Sequence, residues 1–263
     1  MSLPASSTSV LLPGLVSVTF RQLSPSAIVE LCVRHGLRGI EWGGDIHCPP
    51  GDVKRAQTVA ALTVEAGLEV AAYGSYYRAG VSDPAEFSRV LEVAAVLKAP
   101  WIRVWAGNRG SEKADADYRA KVTDDVRRVA AEAKDHGVRI SLEYHAQTLT
   151  DEIQSTLALL QDVPGIWVHW QPANGHPPER AAVTLTALVG RISNLHVLAW
   201  GKEQDRLVRL PLAAHRDRWR HYFSIARQSA GRRFALLEFV RGDRPEQLAE
   251  DARTLHALLA DQR

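Results

Sequence analysis

Residues 139–145 read Arg-Ile-Ser-Leu-Glu-Tyr-His, a short apolar run that ends on the carboxylate of Glu143 and follows the helix-stopping pair His136-Gly137. Three later stretches repeat this design: residues 167–174 (WVHWQPAN) end their run on Gln171, residues 193–200 (SNLHVLAW) carry His196, and residues 235–243 (ALLEFVRGD) carry Glu238. Each places a side chain able to bind a divalent cation at the end of a predicted strand. Bringing four such ends together requires a closed barrel, and a closed barrel carries its chemistry at the C-terminal ends of its strands.

Working outward, eight strand-and-helix units run through the chain. The strands are expected at Leu15–Phe20, Gly39–Gly43, Glu69–Gly74, Trp101–Ala106, Arg139–His145, Ile166–Gln171, Ile192–Leu198 and Phe234–Phe239, near-continuous apolar runs suited to burial on both faces. Ser24-Pro25, Ser82-Asp83-Pro84 and Asp243-Arg244-Pro245-Glu246 are helix starts. Gly36, Gly67 and Gly137 stand where a left-handed residue stops a helix. The 263 residues match the ~250 of one such barrel, so the fold class is α/β and the whole of 1–263 is read as a single (β/α)8 TIM-barrel domain. A doubly wound sheet would want a GxGxxG turn after an early strand, and none is present.

Composition narrows the function classes. Thirty-two basic against thirty acidic residues give a formal charge of +2, and no dense basic run suggests a nucleic-acid partner. The arginines at 206, 209, 216, 218 and 220 alternate with acids and apolar residues, as on a solvated helix face and loop. No apolar run approaches a membrane span, and the opening residues lack the basic start of a signal peptide. Cys32 and Cys48 show no CxxC spacing, which fits a reduced, cytoplasmic protein without a structural disulfide. The oligomeric state is left open, a homo-oligomer included.

Alternation along a strand puts Glu143 and His145 on one face, and likewise His169 with Gln171. Glutamates inside an apolar barrel need a cation or a basic partner; Arg103 and Arg139 are the basic alternatives to a metal. In its strand order and these residues the chain resembles the xylose isomerase-like TIM-barrel superfamily of sugar isomerases and epimerases over nearly its whole length. The resemblance implies one divalent ion (Mn, Mg, Co or Zn) on Glu143, Gln171, His196 and Glu238, with Gln171 standing where an aspartate is usual. A neutral carbonyl donor removes one negative charge, which weakens binding but leaves a stronger Lewis acid.

By the same resemblance Glu143 and Glu238 are the acid–base pair that moves a proton next to a sugar carbonyl through an enediolate. Asn174 stands where a substrate-binding histidine is common and Lys202 where an arginine is common. His145 either bonds a sugar hydroxyl or orients Glu143. Trp105 and Trp200 are expected as pocket walls, Trp101, Trp167 and Trp219 as core. Tyr73, Tyr76, Tyr77 and Arg78 are a candidate lid, and Arg103, Asn108, Arg109 and Lys113 are candidate contacts for an acid group. The expected activity is isomerisation or epimerisation of a small sugar-like substrate; dehydration of a polyol and a metal-free carbohydrate-binding barrel are the alternatives.

Overall fold

A computed structural model describes residues 8–261 except 175 and 205. In chain order its elements are β1 (Ser9–Val16), α1 (Pro25–Arg34), β2 (Gly39–Gly43), α2 (Val53–Glu65), β3 (Glu69–Arg78), α3 (Glu86–Val96), β4 (Trp101–Trp105), α4 (Ala116–Asp135), β5 (Arg139–Glu143), α5 (Ile153–Asp162), β6 (Trp167–Trp170), α6 (Pro178–Leu188), β7 (Ile192–Val197), β8 (Trp200–Glu203), β9 (Arg206–Arg209), α7 (Arg216–Ala226), β10 (Gly231–Leu237) and α8 (Pro245–Ala260). Eight strands close a parallel barrel in the order β1-β10-β7-β6-β5-β4-β3-β2, while β8 and β9 form a separate antiparallel hairpin. The expected (β/α)8 barrel is therefore the observed architecture.

Local chemistry explains the segmentation. Ser24 accepts the Ala27 N–H at the start of α1, Asp52 that of Arg55 at α2 and Asp115 that of Tyr118 at α4. Gly36, Gly67 and Gly137 have φ of 67°, 71° and 72°, the left-handed turn that releases each chain into the next strand. The first strand departs from expectation: it runs Ser9–Val16, and Ser17–Phe20 is a 3-10 turn at its end. Residues 9–13 pair with β10 alone, and pairing with β2 begins only at Gly14. Pro13 still accepts the Arg38 N–H through its carbonyl, and a Cβ on Gly14 would lie 2.6 Å from the Gly39 carbonyl oxygen, so glycine permits this close approach. The hairpin β8–β9 was also unforeseen, since its arginines masked the alternation.

The core lies between the outer strand faces and the helices. Trp42 and Trp170 are fully buried there and donate their indole N–H groups to Thr63 and Thr184. Trp219 is buried against Trp170, and Trp101 packs edge-on to Trp167 beneath the Arg139 guanidinium. Arg139 is thereby committed to aromatic faces and does not pair with Glu143. Most of β3's tyrosines are also structural: Tyr73 bonds the Cys48 carbonyl and Tyr77 bonds Asp125, leaving Tyr76 to face the barrel mouth.

Candidate active site at the barrel mouth

A cavity of about 270 Å³ opens at the C-terminal strand ends. Glu143, Gln171 and Glu238 lie at its floor, and Tyr76, Trp105, Trp200 and Phe239 form its aromatic walls. His145 and Asn174 line it as well. Lys202 is exposed on β8 and is not among the lining residues. Arg21, from the loop after β1, reaches the rim, where it bonds Asp45 at 2.6 Å and the Tyr76 hydroxyl at 2.7 Å.

The four strand-end side chains meet. Gln171 Nε2 donates to Glu143 Oε1 at 3.0 Å. His196 Nδ1 lies 3.4 Å from Glu238 Oε2 and 3.7 Å from Glu143 Oε1. His196 Nδ1 and Glu238 Oε2 are both buried and make no hydrogen bond, an arrangement that costs free energy in a low-dielectric interior. Two such atoms, each able to give an electron pair to a metal, converge with a second carboxylate and an amide, so the residues present suit the divalent cation the family resemblance implies.

Charge adds to this. Among the described residues of the barrel interior, three carboxyl groups (Glu41, Glu143 and Glu238) accompany one guanidinium, that of Arg103. A dication would balance the remainder. Arg103, on β4, donates its Nε to Glu41 at 2.7 Å and a terminal nitrogen to Glu143 Oε2. The Trp105 indole also donates to Glu143 Oε2. Burial opposes the charge on Glu143, but Arg103 foremost, with His196 and His145, outweighs it and holds the group well below the usual carboxylate range. Arg103 is thus an interior ion-pair partner rather than a contact for a substrate acid.

Glu41 on β2 is the residue that sequence reasoning missed. It is fully buried and reaches across the barrel, accepting from Arg103 and lying 2.9 Å from His169 Nε2 and 3.0 Å from His196 Nε2. A glutamate inside the apolar run Gly39–Gly43, and an arginine inside Trp101–Trp105, were the available signals: two charges on doubly buried strands must find each other or a third partner. Glu41, His169 and His196 could themselves surround an ion. Arg103 already occupies one oxygen of Glu41, however, and none of these three residues lines the cavity, whereas Glu143, Gln171 and Glu238 do.

A parallel barrel with cation-ready side chains at the ends of β5, β6, β7 and β10 defines the class. The chain belongs to the xylose isomerase-like TIM barrel family, whose model matches residues 29–258. It is 28% identical over 163 residues to a 3-dehydroshikimate dehydratase of Bacillus anthracis, and the match spans 57% of each protein. The crystal structure of the probable 3-dehydroshikimate dehydratase AsbF from that organism superposes with a TM-score of 0.76 at 18% identity, covering 94% of this chain and 99% of the other. A zinc-bound IolI protein gives 0.73 at 14% identity (96% and 99% covered), and a Methylomonas D-allulose 3-epimerase 0.68 at 15% (98% and 100%). These structural likenesses show the fold. No helix among the described residues is long and apolar enough to cross a membrane.

Proposed function

We propose that this chain is a divalent-metal-dependent lyase that removes water from a small polyhydroxylated carbonyl compound of the 3-dehydroshikimate kind. The observation that carries the metal is the unpartnered pair His196 Nδ1 and Glu238 Oε2 facing Glu143 and Gln171. An ion held by these four residues would act as a Lewis acid toward the substrate carbonyl. Similarity to the Bacillus dehydratase supports the substrate class.

Glu143 favours dehydration over epimerisation. Epimerisation through an enediolate uses two groups that exchange protons from opposite sides, and Glu143 is tied ionised by Arg103, Trp105 and Gln171. Elimination needs one base. Glu238, through the carboxylate oxygen that would not hold the ion, takes the proton next to the carbonyl; the electron pair of that C–H bond becomes the new C=C bond as the β C–O bond breaks. The departing hydroxide takes a proton from Glu238 or from His145 at the mouth and leaves as water. Trp105 and Trp200 would flank the ring of the substrate and exclude bulk water. The setting proposed is cytoplasmic, in keeping with two free, buried cysteines.

Epimerisation of a free ketose is the second reading, supported by the likeness to the allulose epimerase. Incubation with Mn²⁺ and 3-dehydroshikimate, followed by ultraviolet detection of an aromatic product, tests the lyase. Deuterium uptake into recovered ketose from D₂O without any dehydration would favour the epimerase.

A further inference from the structure

His196 can share an ion with Glu143 and Glu238 only through Nδ1, and what turns that nitrogen toward them is not a cavity residue. Glu41 Oε2 lies 3.0 Å from His196 Nε2 and 2.9 Å from His169 Nε2, on the far side of the ring from Glu143 and Glu238. A carboxylate accepts, so each Nε2 carries the hydrogen, and once an ion displaces any second proton the His196 ring offers its lone pair on Nδ1. Glu41 is itself immobilised. Its other oxygen accepts from Arg103 Nε at 2.7 Å, and His169 is pinned through Nδ1 by the Ser141 and Ser193 hydroxyls at 3.1 and 2.9 Å.

We propose that Glu41 is the positioning residue of the metal site: it fixes the tautomer and orientation of His196 so that Nδ1, and not Nε2, binds the ion, although Glu41 touches neither ion nor substrate. This rests on the metal-site reading above. Carboxylates that hold the remote nitrogen of a metal-binding histidine commonly set metal affinity by 10- to 100-fold. Here the carboxylate comes from β2, across the barrel from β7, so the interior of the barrel acts as a rigid strut for the site. A glutamine at position 41 offers one acceptor oxygen to two imidazole N–H groups, and its amide N–H₂ confronts the other.

Zn²⁺ is the probe. Chelator-competition titration is expected to show Glu41→Gln binding Zn²⁺ 10- to 100-fold more weakly than the wild type, with unchanged circular dichroism, and His169→Gln retaining most of the affinity. Long-range ¹H–¹⁵N spectra of the zinc-loaded wild type are expected to show His196 bound through Nδ1 and protonated at Nε2. Zinc on Nε2 of His196, or loss of binding in His169→Gln as complete as in His196→Gln, would place the ion among Glu41, His169 and His196 and overturn the proposal even if Glu41→Gln does not fold. Wild-type affinity in a folded Glu41→Gln would overturn the role of Glu41 alone. No zinc binding by the wild type at millimolar concentration would overturn this proposal and the metal site together.

Discussion

Glu238 ends its strand with an oxygen that no donor reaches, 3.4 Å from an equally unpartnered histidine nitrogen. Glu238→Gln keeps the shape and removes the proposed proton acceptor, so turnover is expected to fall by about 10²–10⁴-fold while the urea midpoint stays near the wild-type value; activity assays beside denaturation curves check both. Arg103 is the opposite kind of residue. Removing it in Arg103→Met strands Glu41 and Glu143 in the barrel, and a loss of about 3–5 kcal/mol is expected from chemical unfolding. The strand-end residues were legible because the two-residue period of a strand fixes which side chains share a face, and Glu143, Gln171, His196 and Glu238 do converge. Glu41 was not legible, because a partner across a barrel is set by closure and curvature, which no local pattern records.

At the scale of elements, strand spacing depends on small residues where β1 meets β2. A methyl group on Gly14 would press on the Gly39 carbonyl and on Leu236, both at 2.6 Å, and backbone cannot swing aside as a side chain can. Gly14→Ala is expected to destabilise the protein by about 1–3 kcal/mol, read as a lower midpoint with little change in KM for the folded fraction. The β8–β9 hairpin works the other way. Arg209 stacks over Phe239 at 4.6 Å and pairs with Asp243, so it holds the hairpin that carries Trp200 against the end of β10. Arg209→Ala is expected to cost less than about 1 kcal/mol, as for an exposed pair, yet to raise KM by loosening the Trp200 wall. The hairpin escaped the sequence because charge on the outer positions hid a strand only four residues long, although Trp200 itself was expected as a pocket wall.

Over the whole molecule, the repeated order of cap, helix, glycine and strand made the barrel readable, and its closure converts local signals into one buried charge network. Burial alone would raise Glu41 and Glu143, but His196, Arg103 and His169 outweigh it for Glu41, and Arg103, His196 and His145 for Glu143, holding both below the ordinary value of 4.5. Carboxylates lowered by folding stabilise above that value and cease to do so as the pH falls below it. Urea midpoints of the metal-free protein are therefore expected to drop between pH 5 and about pH 3, and a midpoint that rises on acidification would contradict the network.

The most direct measurement is calorimetric titration of Mn²⁺ into chelator-treated protein, wild type beside Glu238→Gln and His196→Gln. One ion per chain in the wild type, with binding weakened at least 10-fold in each variant, is the expected result. Equal binding in all three, or none in the wild type at millimolar Mn²⁺, would contradict a metal centre at the ends of β5, β6, β7 and β10.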